Sequence, residues 1–400
     1  MPNSNNPRKT MFFIVFASVL LVTYTWVGWR LIRPLEVGSG WRWVVIGLLA
    51  GHFVSVFVSF AILRSLGPGG WAGPLYWVAY GGMGLFSLIF TGMVAMELGV
   101  LGVRVAERGQ ETKRVPEDPE RRRFFNQTAN LGVLGMAAVA GAFGVWRARR
   151  HPSVEAVEVP IENLPAELEG YRIAQISDLH LGPTLSGAFM RRVVQSVNGL
   201  KPDMVAVTGD LVDGSTEHLA EHVEPLRDLS SADGTFFVTG NHEYYSGAEP
   251  WCRTLSELGL NVLNNAHSIV RRGAAKLMVA GVNDYRAHKI LPAHRSDPAA
   301  AVAGAPECDA RVLLAHQPGS CLDAREQQFD LQLSGHTHGG QFFPWNFVVG
   351  RFHPFYRGLN AWQKGWVYVN PGTGYWGPPM RIGVESEITL LTLKQKTDRS

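Results

Sequence analysis

The first 150 residues hold apolar runs too long for an ordinary globular domain to hide. Met11–Trp29 carries no charge, Trp43–Leu63 is interrupted only by His52, and Leu75–Val103 holds the single acidic residue Glu97. Each run exceeds the ~18 apolar residues that a membrane-crossing helix needs. Short connections containing Arg separate them, an arrangement foreign to a soluble core. Trp26, Trp29, Trp41 and Trp43 stand at run ends, where interfacial aromatics belong. Glu97 can mark an intramembrane site or reach back to the interface, and its place near the end of its run favours the interface.

A fourth run, Gln127–Trp146, is built from Ala, Gly, Val and Leu and follows Arg121-Arg122-Arg123-Phe124-Phe125. A basic cluster before a mild apolar segment resembles a twin-arginine export signal, here at an internal position; the alternative is a plain fourth spanning helix. Both readings keep the Arg cluster in the cytoplasm. Lys and Arg number seven in 104–126 and three in 30–42, against two in 1–10, one in 64–74 and three in 147–150. The positive-inside rule then predicts four spans (about 11–29, 43–63, 75–103 and 127–146), both termini outside, and an extracytoplasmic downstream domain. Arg147, Arg149 and Arg150 count against that orientation.

Charge also divides the chain near residue 150. Residues 1–150 carry 16 Lys+Arg and 7 Asp+Glu, a net of +9, whereas 151–400 carry 21 and 27, a net of −6. The overall +3 therefore describes neither part. The basic excess belongs to loops between apolar runs, so no nucleic-acid partner is expected. Three cysteines in 400 residues exclude a disulfide scaffold, although one bridge is compatible with an oxidising compartment.

From about residue 155, short apolar runs read as buried strands: 171–177, 203–208, 235–239, 276–280, 311–315, 331–334 and 366–369, with a final strand over 385–393. Helical patterns fill 188–197, 217–229 and 251–258. This alternation predicts an α/β sandwich over 151–400, following a membrane domain over 1–150. Residues 292–306 read as an exposed loop. Pro344, Pro354, Pro371, Pro378 and Pro379 make 342–380 loop-rich.

Polar residues recur where the strands end. The first strand runs into Asp178-Leu179-His180, the second into Gly209-Asp210 and Asp213, and the third into Gly240-Asn241-His242-Glu243. Two later strands run into His316 and into Gly335-His336-Thr337-His338-Gly339-Gly340-Gln341. Open α/β sheets place ligands beyond the carboxyl ends of strands, so five such blocks bring Asp, His and Asn to one rim. Imidazole and carboxylate suit Mn, Zn, Fe or Co without a thiolate. Two cations ~3.5–4 Å apart, bridged by a carboxylate, can clamp the attacking and leaving oxygens of a phosphoryl displacement.

Any one block is common in proteins; five in order after strands are not. The ordered set resembles the calcineurin-like metallophosphoesterase family over about residues 155–395. The Gly-His-Thr-His-Gly-Gly-Gln block and the tail from Asn370-Pro371-Gly372 to Met380-Arg381 are similar to membrane-anchored or exported bacterial members. The resemblance implies a four-layer αββα sandwich of two mixed sheets. It implies two divalent cations, one held by Asp178, His180, Asp210 and His338, the other by Asp210, Asn241, His316 and His336, with Asp210 bridging. In that scheme a hydroxide between the metals attacks phosphorus in line, His242 protonates the leaving oxygen or contacts the phosphate, and Asp213 orients His242 or a ligand. Glu243 stands where the family often has Asp.

The resulting expectation is a multi-pass cell-membrane phosphohydrolase acting on a phosphoester. Narrower and competing readings are a lipid-linked phosphate or pyrophosphate hydrolase (of the UDP-2,3-diacylglucosamine type), or a metal-binding envelope receptor without turnover. Envelope polymer is a further substrate class. Tyr244, Tyr245, Asn283, Arg286, Arg357, Tyr375 and Trp376 are candidates for the pocket wall. The loop-rich stretch can carry His353 there as well. His151, His218, His222, His267, His288 and His294 are expected in surface or core roles.

Overall fold

The computed structural model describes residues 7–35, 38–66, 72–107 and 118–396. The chain forms two compact units, Met1–Ile62 with Pro74–Phe143, and Leu63–Gly73 with Gly144–Ser400.

The first unit contains α1 (Pro7–Ile32), α2 (Gly40–Leu66), α3 (Ala72–Glu107) and most of α4 (Pro119–Arg149). All four are long and apolar enough to cross a membrane. Each of the four expected runs lies inside one helix. Polar side chains here find close partners. Tyr24 Oη lies 2.6 Å from His52 Nδ1, and His52 Nε2 lies 3.1 Å from the Ala79 carbonyl. Glu97 does not reach out alone: its carboxylate pairs with Arg30 Nε at 2.8 Å, and Asn130 Nδ2 donates to the Arg30 carbonyl. Arg123 and Gln127 both donate to the Pro34 carbonyl.

The second unit is built on twelve strands: β1 (Ser153–Ile161), β2 (Arg172–Ile176), β3 (Met204–Val207), β4 (Thr235–Phe237), β5 (Asn261–Val262), β6 (Ala266–Arg272), β7 (Ala275–Gly281), β8 (Ala310–Leu314), β9 (Leu331–Ser334), β10 (Gly358–Trp362), β11 (Gly365–Val369) and β12 (Glu387–Gln395). They form two six-stranded sheets, ordered β1-β12-β2-β3-β4-β5 and β10-β11-β9-β8-β7-β6. Both are mixed. In the first, β12 runs antiparallel to β2 while β2 to β5 are parallel. In the second, β11, β9, β8 and β7 are parallel, with antiparallel β10 and β6 at the edges.

Strand alternation explains the layers, because successive side chains point to opposite faces. Ile173, Met204, Phe236, Val279, Val312, Leu333 and Leu391 pack together between the sheets. Ala174, Val205 and Phe237 point the other way and are covered by Phe189, Met190 and Val193 of α5 (Gly187–Gly199), Leu219 of α6 (Thr216–Val223) and Trp251 of a later helix over Ala248–Glu257. On the far side, Met278, Ala280 and Leu313 pack against Ala301 and Ala324. The result is the four-layer αββα sandwich that the sequence implied.

Two local expectations change. The 217–229 helix stops at Val223 and continues as a 3-10 turn over Glu224–Asp228, with Pro225 at the start of that turn. Proline lacks the N–H that an α-helix requires. The 292–306 stretch is not simply exposed loop: Asp297 caps a short helix over Pro298–Val302, which buries Pro298 and Ala301. The three cysteines are free, with Cys252 and Cys321 buried.

Candidate metal centre

Every residue expected at the site follows a strand carboxyl end. Asp178 and His180 follow β2, Asp210 and Asp213 follow β3, and Asn241 and His242 follow β4 at the start of α7 (Asn241–Ser246). His316 follows β8, and His336 and His338 follow β9. Asp178, His180, Asp210, His336 and His338 have φ between 48° and 72°. Asp, Asn and His tolerate this left-handed region better than most side chains, and such torsions gather at functional sites. Gly335 has a steric role: a Cβ there would collide with the Asp178 carboxylate and Ser177 Oγ.

The donor atoms form overlapping clusters: Asp178 with His180 and His338, His180 with Asp210 and His242, and Asp210 with His316 and His336. Asp210 Oδ2 connects them, lying 3.0 Å from His316 Nε2 and 3.9 Å from His180 Nε2. Its other oxygen accepts from the His242 backbone N–H at 2.8 Å. Asp178 accepts from Ser177 Oγ at 2.6 Å and from the His336 N–H, and its Oδ1 lies 3.3 Å from His338 Nε2.

Hydrogen bonds behind the ligands set the imidazole tautomers. His180 Nδ1 lies 2.9 Å from Asp213 Oδ1, and His316 Nδ1 lies 2.8 Å from the Thr208 carbonyl. Those oxygens accept, so the network assigns a proton to each Nδ1 and turns each Nε2 toward the cluster. The inner nitrogens then face other nitrogens: His180 Nε2 lies 3.1 Å from His338 Nε2, and His316 Nε2 lies 3.3 Å from His336 Nδ1. Ring nitrogens this close require a proton or a cation between them. The side-chain oxygen of Asn241 is buried without a hydrogen-bond partner. Convergent nitrogens, carboxylates and an orphaned carbonyl oxygen fit divalent cations.

Electrostatics divides the imidazoles of this set. Burial lowers His336 and His338 well below the usual histidine range, and the neighbouring imidazoles His316 and His180 add to the effect, so both are neutral. Burial would also lower His316 and His242, but Asp210 reverses it for both. His316 is pushed up to about 10, and His242, with help from Asp213, to about 9. Burial opposes ionisation of Asp213, but His180 and His242 hold it far below its ordinary value. Asp213 Oδ1 thus serves two rings, with His242 Nδ1 at 2.6 Å.

The pocket-wall candidates separate. Tyr245 and Trp376 set their rings against His242 at 5.2 and 5.6 Å, and His353 sets its ring against His336 at 5.3 Å. Tyr244 is instead buried, with its hydroxyl 3.0 Å from His294 Nδ1, and Tyr375 is buried in the core with its hydroxyl donating to the Thr184 carbonyl.

Three further residues shape the site without an obvious sequence signal. Ser177 binds Asp178. Glu243 accepts the N–H groups of Asp210, Leu211 and Gly240, fixing two ligand loops together. Arg381 is fully buried and donates to the carbonyls of Pro371 and Gly372. Arg381 belongs to the tail already noted, but its neighbours do not reveal its target.

Residues 171–340 match the calcineurin-like phosphoesterase family. The chain is 40% identical over 279 residues to a zebrafish (Danio rerio) transmembrane protein with metallophosphoesterase domain, covering 68% of this chain and 63% of that protein. It is 36% identical over 280 residues to a metallophosphoesterase of Helicobacter pylori (strain ATCC 700392 / 26695), covering 69% of this chain and 73% of that one. A metallophosphoesterase of Aquifex aeolicus (strain VF5) is 31% identical, with 61% of this chain and 92% of that protein covered. The chain belongs to the calcineurin-like phosphoesterases, a family of metal-dependent phosphoester hydrolases. It spans less than two thirds of the zebrafish relative.

Proposed function

We propose that this chain is a membrane-anchored phosphohydrolase with a two-cation centre. The carrying observation is the Asp213–His242 pair at 2.6 Å beside two donor clusters that share Asp210. Asp178, His180, Asp210 and His338 would hold one cation; Asp210, Asn241, His316 and His336 would hold the other. Divalent cations supply Lewis acidity and offset the charge of a phosphate. The donors suit Mn, Zn, Fe or Co.

The protein's own groups then divide the work. Asp213 fixes His242 through Nδ1, leaving Nε2 to hold a proton and deliver it to the leaving oxygen. His242 is a strong enough base to carry that proton at neutral pH. Asp213 also orients His180, so one carboxylate positions a ligand and the acid. Trp376 and Tyr245 flank His242 and narrow the approach of water to it.

The four apolar helices support a multi-pass membrane location, and the Lys/Arg distribution supports an extracytoplasmic domain. A reporter fused after residue 150 should be active outside the cytoplasm; activity only inside would reverse the orientation. The activity is tested with the full-length protein loaded with Mn, Zn, Fe or Co, assayed for phosphate release and for diester cleavage. Turnover on at least one class is expected. Inertness on both with every metal would favour a binding role without turnover.

A further inference from the structure

Large apolar side chains exposed in the phosphoesterase domain are unevenly placed. Phe343, Trp345, Phe347, Phe352 and Tyr356 lie within fourteen residues and are 42–76% exposed. Apolar surface concentrated this way normally marks a binding surface.

The segment carrying them is pinned to the metal centre. Thr337, between His336 and His338, donates through Oγ1 to the Tyr356 carbonyl at 2.7 Å. The backbone of Trp345 and Asn346 lies so close to Gly340 that a Cβ there would collide with it. Phe342 bridges to Ile382 and Gly383, and His353 reaches back to His336. Between these anchors the backbone closes turns through Trp345 N–H to Phe342, Phe347 N–H to Pro344 and Phe352 N–H to Val349. The aromatics are held outward by an ordered loop, and Phe343 and Phe347 lie edge to face at 6.1 Å. The apolar surface stands on a loop anchored to a centre suited to phosphate, and the two together match a molecule with one charged end and one apolar end.

We propose that the 342–357 loop seats the alkyl or acyl chain of an amphiphilic phosphoester whose phosphate lies at the metal centre. This rests on the phosphohydrolase reading above. The four long apolar helices supply a reason for the pairing, because a chain held in a membrane meets amphiphilic phosphoesters at high local concentration.

The test uses the full-length, Mn-loaded protein in nanodiscs and two probes with one headgroup, ethylphosphonate and hexylphosphonate. Burying several methylenes should make hexylphosphonate bind at least ~10-fold more tightly. Hexylphosphonate, and not ethylphosphonate, should protect 342–357 from hydrogen exchange. In the double variant Phe347→Ser/Phe352→Ser the affinity ratio should fall below about 3, because most of the buried apolar contact is gone. Equal affinities in the wild type, or a preference that survives the double variant, would overturn the chain-binding role alone. Protection of the loop by the nanodisc before any phosphonate is added would assign it to the bilayer surface and overturn the proposal too. Failure of both phosphonates to bind would remove the phosphate-site reading itself.

Discussion

The four-helix unit and the phosphoesterase domain both bury polar side chains, and they treat them in opposite ways. In the helices, Arg30 meets Glu97 and Tyr24 meets His52, which meets the Ala79 carbonyl. In the domain, Asp213 and Thr208 engage the outer nitrogens of His180 and His316, and the inner nitrogens then converge on other nitrogens. A closed pair stabilises a helix contact, whereas an open cluster asks for a ligand. Burial alone does not separate the two cases; the convergence of the inner nitrogens does.

The sharpest way to break this contrast is Asp210→Asn, which removes the carboxylate shared by both clusters. Metal content and hydrolysis should fall together, by more than the ~10–100-fold typical of losing an outer hydrogen-bond partner of a ligand. Retained metal with full turnover would mean the clusters are closed structural networks like those in the helices. His242→Ala should keep the metal and lose about 10²–10⁴-fold in kcat, as expected for a proton donor. Asp213→Asn should lower rate and metal affinity together, by about 10–100-fold, because it orients one ligand and the acid.

Removing the metal tests the open cluster by pH. His242 at about 9 and His316 at about 10 lie above the ordinary 6.5 of histidine. Their contribution to the chelated protein is complete below pH 6.5 and is lost as pH rises through 9 to 10. The melting temperature of chelated protein should therefore fall over that interval. The metal-loaded protein should lose the His316 part of that fall, because metal ligation favours neutral imidazole. A parallel fall in both forms would argue against His316 as a ligand. The smallest effect belongs to the closed pair. Arg30→Met with Glu97→Gln should leave hydrolysis within about twofold and shift stability by ~1 kcal/mol or less, since Glu97 is half-exposed.

The same physics decided what the sequence could reveal. The eight strands foreseen as apolar runs are interior to their sheets. The four not foreseen, β1, β5, β6 and β10, are the edges of the two sheets. An edge strand mixes polar residues into its pattern, as the glutamates of β1 and the arginines of β6 do. The candidate site residues were legible as a set because each polar block follows a buried interior strand, which fixes its place at the carboxyl rim of the sheets. Glu243 and Arg381 act through backbone groups brought close only by folding, whereas Ser177 acts on the carboxylate of its sequence neighbour Asp178. The aromatic loop was legible as proline-broken sequence, but its five outward side chains emerged only from the anchors at Thr337 and Gly340.

The left-handed torsions at Asp178, His180, Asp210, His336 and His338 limit how this centre can vary. Cation chemistry alone would accept Glu for Asp, or Cys for His. At φ of 48–72° the backbone favours Asp, Asn, His and Gly before any cation is present. The accessible alphabet at these five positions is therefore narrower than coordination chemistry requires. Asn241 and His316 lie outside that backbone restriction, so on the proposed ligand scheme they are the two positions freest to vary.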